Sequence, residues 1–306
     1  MTPCDGILLL DKPAEITSAQ VVRGLSRLTG GLRCGHLGTL DPMATGLLVV
    51  LVGNALKLAQ YFIKGTKRYV AEVEFGRSTD TWDREGKVVE EGRIPTDLLT
   101  RIERAIPAFR GSILQVPPSY SAIKVKGRRL YDLARRGDGV EAPPRTVVIH
   151  SLSILKATPH SVLLDVRCGS GTYIRSLAHD LGVAIGCPAM LGSLRRLGSE
   201  PFHVDDAVPY ESLTAGLSDW YDHLRPMEWK LPPLPMVTMD DDQTRLALHG
   251  VTLHIEAPAD GPLLLLGPDG RAMAVGMGSA EQLEIRIKRV IRPLAISESP
   301  PSQESQ

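Results

Sequence analysis

Gly35–Val52, GHLGTLDPMATGLLVVLV, divides into two halves of different character. From Arg33 to Gly46 the chain has neither a helical nor a strand period, and it carries three glycines and a proline. Leu47 to Val52 is then a continuous apolar run. That combination predicts a loop feeding a strand buried on both faces. The loop holds one carboxylate, Asp41, whose backbone is restricted to the extended region by the following Pro42. Two readings of Asp41 stand on the local pattern: a turn residue, since Asp-Pro commonly opens turns, or a functional carboxylate on a preorganised backbone.

Upstream, Gly6 to Leu10 is a short apolar run ending in Asp11-Lys12-Pro13, which predicts a buried strand and a turn. Thr17 or Ser18 can cap a helix in which Val21, Val22, Leu25 and Leu28 recur at helical spacing, with Gly30-Gly31 as its stop. Downstream, Asn54 to Ile63 suits a short helix. Arg68 to Phe75 alternates, with Tyr69, Ala71, Val73 and Phe75 on one face and Val70, Glu72 and Glu74 on the other. A polar loop (Gly76 to Gly86) and a helix around Thr96 to Ala105 follow. Val162, Leu164, Val166 and Cys168 alternate again, and a glycine turn leads into the helical spacing Tyr173, Leu177, Leu181. Strands and helices mix without a βαβ rhythm. The class expected is α+β with a mixed, largely antiparallel sheet.

PMEWKLPPLP, Pro226 to Pro235, holds four prolines and predicts a hinge. Beyond it, Asp240 to Leu248 looks like a capped helix. Pro268-Asp269-Gly270 is a hairpin turn between Leu263–Leu266 and Ala272–Val275, so a small β-rich domain is expected. The division is therefore residues 1–225, a linker 226–235, a β domain 236–296 and a disordered tail 297–306. The four cysteines form no CxxC pair and read as reduced thiols. With neither a secretory leader pattern nor an apolar stretch long enough for a bilayer, a cytoplasmic protein is expected. The 35 basic and 35 acidic residues cancel, so any affinity for a polyanion has to come from local patches.

No GxxxxGK[ST], HExxH, GxSxG or complete GxGxxG is present, which removes the usual support for nucleotide hydrolysis, zinc proteolysis and dinucleotide binding. Cys34 and His36 lack a second ligand pair at zinc spacing. Arg175 falls in the first turn of the helix that Thr172 is placed to cap. A cation there faces the positive end of the helix dipole at a cost of ~0.3–1 kcal/mol, so a compensating carboxylate or phosphate is expected. From Lys124 to Arg136 there are six basic residues against one acid, Asp132. Such a run is commonly a solvated face. It is also the densest candidate for a phosphate-binding surface.

GHLGTLDPMATGLL resembles the motif GHxGTLDPxATGxL of the TruB type of tRNA pseudouridine synthase. LLLDKPAEITS resembles the same family's opening KPxGxTS motif, and KRYVAEVEFGRSTDTWDREG its tyrosine strand and TDTxDxxG loop. PPSYSAIKVKGRRLYDLAR and CGSGTYIRSLAHDLG resemble two further blocks, so the likeness runs in order from about residue 6 to 200. It implies the pseudouridine synthase fold and isomerisation of uridine to pseudouridine in the T arm of tRNA, at position 55, without cofactor or metal; a monomer is expected, though the sequence itself does not fix the oligomeric state. It further implies that Asp41 is the catalytic nucleophile, that Arg175 is its partner, and that Tyr69 holds a flipped base. His36 and Tyr173 are implied on the RNA side, and Asp83 as a residue that contacts RNA or orders its loop. Lys124, Lys126, Arg128 and Arg129 are the candidate phosphate contacts. Local pattern leaves open a core role for Tyr69 and Tyr173, a turn role for His36 and a solvated loop acid at Asp83. Arg286, Lys288, Arg289 and Arg292 lie in a segment that resembles the family's RNA-binding PUA-like domain. Two positions depart from the family pattern: Glu15 replaces a glycine of the opening turn, and Leu37 replaces a threonine. The rival class is a non-catalytic RNA-binding or tRNA-folding protein on the same scaffold, which would have no need of a carboxylate facing a polyanion.

Overall fold

The computed structural model describes residues 5–63, 65–119 and 142–291, together with the backbone of 124–125 and 128–129. Two apolar strands open the fold. β1 (Gly6–Lys12) is buried along nearly its whole length. Helix α1 (Ser18–Leu28) buries Val21 and Leu25 and is capped by Thr17, whose side chain accepts from Gln20 N while the Gln20 side chain accepts from Thr17 N. β2 (Cys34–His36) and β3 (Thr45–Val52) flank the Asp41 loop. β3 pairs antiparallel with β1 from Gly6↔Val52 to Lys12↔Gly46. Its alternate residues enter different cores: Leu47, Val49 and Leu51 join one cluster, Leu48, Val50 and Val52 another. The expected burial on both faces is thus present, for the reason that the continuous apolar run suggested.

The stretch after β3 is a 3-10 turn followed by one short helix, α2 (Ala59–Phe62). β4 (Lys67–Phe75) points Ala71, Val73 and Phe75 into the largest core. The polar loop expected over residues 76–86 is in part a hairpin, β5 (Arg77–Thr79) with β6 (Val88–Glu91). Its strands escaped notice because β6, Val-Val-Glu-Glu, is exposed throughout and has no hydrophobic period. Helix α3 (Leu98–Ala105) lies within the expected span. β7 (Gly111–Gln115) ends just before the segment with the basic run, of which β8 (Lys124–Val125) and β9 (Arg128–Arg129) form a backbone hairpin. Lys126 lies outside the described residues.

β10 (Arg145–Ala157) and β11 (Ser161–Cys168) follow, then helix α4 (Ile174–Ile185) and β12 (Ala189–Ser199). Short strands β13 (Phe202–His203) and β14 (Val208–Pro209) and helix α5 (Tyr210–Thr214) complete this part. The main sheet runs β14-β1-β3-β12-β4-β11-β10-β7, with β2 on β3 and β13 on β12. Among the described residues of this sheet, the β1–β14 and β3–β12 pairs are parallel and the others antiparallel. The fold is therefore the α+β class with a mixed, largely antiparallel sheet. α4 covers one face of that sheet, burying Leu177, Ala178 and Leu181 in the cluster that β4, β11 and β12 share.

At the C-terminal end a four-stranded sheet has the order β15 (Met236–Thr238), β16 (Gly261–Leu266), β17 (Ala272–Ser279), β18 (Glu284–Val290). Helix α6 (Asp241–Leu248) starts with a capping box between Asp240 and Gln243. Met239, Leu253, Leu263, Leu265 and Ile285 form a core of its own. The other face of β16 and β17, through Leu264, Ala272 and Val275, shares a cluster with Ile7, Leu9, Leu47, Leu51 and Met227. Lys57 Nζ also donates to Val290 O at 2.7 Å. Residues 292–306, with Arg292 and the proposed tail, lie outside the described residues. Among the described residues no helix is long and apolar enough to cross a membrane.

Candidate active site

Asp41 is held from both sides by residues of the opening segment. Ser18 Oγ donates to Leu40 O at 2.9 Å and accepts from Leu40 N at 2.8 Å, which fixes the residue before it. Lys12 is fully buried, and its Nζ donates to Pro42 O (3.1 Å), Ile16 O (2.6 Å) and Pro13 O (2.8 Å). Three carbonyls thus satisfy the ammonium and clamp the turn after Asp41. Burial lowers the Lys12 pKa from 10.5 to about 8, against the raising influence of Asp41. The opening turn itself passes through Glu15 at φ 66°, left-handed backbone that explains why the family places glycine there. Gly46 closes the loop at φ 96°; a Cβ there would collide with the Arg196 backbone. Leu37, at the other departure, is 4% exposed and packs in a core cluster that β1 and β3 share.

The compensating anion expected beside Arg175 is present twice. Arg175 Nε lies 3.0 Å from Asp41 Oδ2 and Nη2 donates to Asp41 Oδ1 at 3.3 Å. Nη1 lies 3.3 Å from Asp83 Oδ2 and donates to Thr81 O at 3.2 Å. Arg175 and Asp83 are each about 6% exposed in their side chains, whereas Asp41 keeps 34% open towards the cleft. Asp83 is therefore no solvated acid: its Oδ1 accepts from Thr81 Oγ1 (2.7 Å) and Glu85 N (3.0 Å), and its backbone bridges to Leu191 of β12. Desolvation by the surrounding protein holds the Asp41 pKa above the ordinary carboxylate value. The Asp83 charge adds to the rise, and Arg175 and Lys12 pull against it.

These groups border a cleft of about 330 Å³ whose lining includes Leu40, Asp41, Tyr69, Tyr173, Arg175 and Arg196. Tyr69 packs against the main core and also lines the cleft. Tyr173 lines the cleft with Arg145 stacked on its ring, the guanidinium carbon 4.7 Å from the centroid. His36 is not among the lining residues; its Nδ1 is buried without a partner, and burial lowers the ring's pKa. Thr172 is not the cap of α4. Its hydroxyl turns back to Gly169 O, and Tyr173 occupies the cap position with no side-chain bond. Lys124, Arg128 and Arg129 are described in backbone only. The basic run is thus not brought to the cleft by any described contact.

Sequence reasoning missed Lys12, Arg196 and Arg145. Arg196 is 1% exposed, lines the cleft, and donates to Leu47 O (2.7 Å) and Gly38 O (3.2 Å). The signal for Lys12 lay in the opening motif, where a lysine between a buried strand and a proline has no obvious solvent route. For Arg196 and Arg145 the sequence carries no comparable signal. Among the described residues no group of three His, Cys, Asp or Glu side chains is placed to share a metal ion. Cys34, Cys168 and Cys187 are free thiols.

The chain matches the model of the TruB family pseudouridylate synthase N-terminal domain over residues 26–174, and that of the tRNA pseudouridylate synthase B C-terminal domain over residues 175–231. It is 42% identical to tRNA pseudouridine synthase B of Chromohalobacter salexigens, covering 83% of each chain. Against the protein of that name from Caldanaerobacter subterraneus it is 37% identical, covering 94% of this chain and 99% of the relative. Among solved structures, a chain of a Cbf5-Nop10-Gar1 complex aligns with TM-score 0.69 at 25% identity, over 94% of this chain and 85% of that one. A chain of an H/ACA RNP bound to a substrate RNA containing 2′-deoxyuridine aligns with TM-score 0.68, at the same identity and coverage. The buried Arg175 between two carboxylates thus sits in a chain that belongs to the TruB family of pseudouridine synthases, which are isomerases.

Proposed function

We propose that the protein isomerises uridine to pseudouridine in the T arm of tRNA, at position 55, with Asp41 as nucleophile and the target base flipped into the cleft. The observation that carries this reading is the cleft-facing Asp41 carboxylate, gripped at both oxygens by a buried arginine that a second buried carboxylate holds in turn. The reaction breaks the ribose C1′–N1 bond and forms C1′–C5; C5 loses a proton and N1 gains one, so atoms and electrons balance within the nucleotide. A carboxylate can bond covalently to the sugar or the base and be released when the product forms, which leaves Asp41 as it began. Arg175 orients it at two points. Tyr69 offers a ring to a base taken out of its stack.

The relatives named above are synthases for tRNA, and the exposed Arg286, Lys288 and Arg289 of β18 support a further RNA surface on a PUA-like C-terminal domain. With the basic run of residues 124–136 they would supply the local patches that a neutral chain needs. The protein would act as a cytoplasmic monomer, with residues 226–235 linking its two domains.

Asp41→Asn tests the reading, because the amide keeps the shape and suits a turn but is a far poorer nucleophile. Pseudouridine, detected by chemical labelling of unmodified tRNA, should vanish while tRNA affinity persists. Turnover close to wild type by a folded Asp41→Asn protein, free of deamidation, would reduce Asp41 to a turn residue and favour the rival RNA-binding reading.

A further inference from the structure

The start of α4 is weak by every local criterion. Its cap position is occupied by Tyr173, whose side chain makes no capping bond, and its first turn contains no acid but a cation, Arg175. Serine, threonine, aspartate and asparagine are the residues that cap well, and a cation in the first turn opposes the helix dipole. Yet this turn carries two groups that line the cleft, Tyr173 and Arg175, and the Arg175 guanidinium meets Asp41 at 3.0 and 3.3 Å.

Gln115 answers the deficit from another part of the fold. It is the last residue of β7 and is 1% exposed. Its Oε1 accepts from Tyr173 N at 3.0 Å, and its Nε2 donates to Tyr173 O at 3.0 Å. One side chain thus pairs with both polar groups of one backbone residue, as a neighbouring strand would. Tyr173 O meanwhile also accepts the first helical bond, from Leu177 N at 3.1 Å. A primary amide can both accept and donate in this way whatever the pH, and the two backbone partners decide which way round it sits. Val116, the residue after Gln115, accepts from Ser176 Oγ through its carbonyl at 2.7 Å, so two successive residues at the end of β7 hold the start of α4.

We infer that Gln115 is a positioning residue of the isomerisation: by pairing with the Tyr173 backbone it sets where α4 begins, and through that where Arg175 meets Asp41. It does not line the cleft. The inference rests on the functional reading above, and its test keeps the two apart.

Two variants serve. Gln115→Glu, measured above the pH at which its buried carboxyl ionises, keeps an acceptor for Tyr173 N–H but sets a carboxylate oxygen against Tyr173 O, and Gln115→Met keeps the volume and removes both bonds. Each is compared with wild type in single-turnover pseudouridine formation, tRNA binding, melting temperature and hydrogen exchange at the Tyr173 amide. A small misplacement of a catalytic group costs about 100-fold in rate, so a loss of about 10- to 100-fold is expected, with tRNA affinity within about threefold of wild type. The Tyr173 amide should exchange faster. The acid limb of the rate profile should also move to higher pH. Asp41 is faced by Arg175 from α4, Asp83 and Glu85 from the loop after β5, Tyr69 from β4 and Lys12 from β1, and loosening Arg175 removes the strongest of the influences that hold its pKa down. A residue that served stability alone would leave that limb in place in the folded fraction.

Wild-type rate and an unmoved acid limb in a variant whose Tyr173 amide exchanges faster would overturn the inference. So would unchanged exchange in Gln115→Met. Should that variant not fold, the same readings on Gln115→Glu decide. A wild-type protein that makes no pseudouridine would count against the functional reading, while the exchange measurement would still decide whether the tether exists.

Discussion

Helices α1 and α4 both pack on the main sheet, and they begin in opposite ways. α1 is started by its own sequence: Thr17 and Gln20 cap one another's backbone, and the residue after the cap, Ser18, is free to pin Leu40. α4 has a tyrosine at the cap and an arginine in the first turn, and its start is held by Gln115 of β7, Val116, and the carboxylates of Asp41 and Asp83. A helix terminus can thus serve its own stability or a site. Where cap and first turn present a ring and a cation to a cleft, the local terms turn unfavourable and distant groups have to offset them.

The sharpest way to break this comparison is Arg175→Lys. An ammonium keeps the charge but cannot bridge Asp41, Asp83 and Thr81 O with one planar fork, so the single-turnover rate should fall by at least about 100-fold, roughly 3 kcal/mol in the barrier. A rate near wild type would mean that charge alone suffices and that the start of α4 need not be so exact. Asp83→Asn should cost less. The amide keeps an acceptor for Thr81 and Glu85 N but loses a charged contact, for about a tenfold slower rate with tRNA affinity unchanged. Because the Asp83 charge raises the Asp41 pKa, its removal should also move the acid limb to lower pH. A limb that moves upward would contradict the assigned electrostatics.

Asp180 extends the comparison along α4. Burial raises its pKa from 3.8 to about 6, so the fold disfavours the charged form. The cost is present in full above the folded-state pKa and fades as pH falls towards the unfolded value. Asp180→Asn should therefore stabilise the protein at pH 7.5, by about 1–2 kcal/mol after discounting for partial exposure, and hardly at all near pH 4. Denaturant melts at the two pH values measure it; equal gains at both would remove desolvation as the cause. The smallest effect belongs to α1: Thr17→Ala should lose about 1 kcal/mol, lowering the melting temperature by about 2–4 °C with the turnover rate unchanged. A rate that falls with it would show that α1, too, tunes the site.

What could be read from residues alone follows the same division. The β3 run, the alternation of β4 and β11, the α1 helix and the fold class were legible, since each buries a regular face and a regular face leaves a period. β12 was not. It has bulges beside Gly192 and Gly198 and carries Arg195 and Arg196, so its alternation breaks where the site uses it. β10 was missed as well, its thirteen residues interrupted by register shifts. The candidate carboxylate, its arginine partner and the cleft tyrosines were named from motifs, and the need for an anion beside Arg175 followed from the helix dipole alone.

Local conformation followed from residues close in the chain: the restriction that Pro42 places on the Asp41 backbone, a capped start for α1, a strand at β3 that had to be buried on both faces. Those are short-range consequences of covalent geometry and hydrophobic period. Only the tertiary structure decided which polar groups are buried and what satisfies them. Lys12 finds three carbonyls, Arg196 finds those of Leu47 and Gly38, and Gln115 finds Tyr173 fifty-eight positions away. A buried polar side chain is tolerable only where its partners are brought to it. Which distant backbone groups those are depends on how the strands are ordered in the sheet, and no local pattern records that.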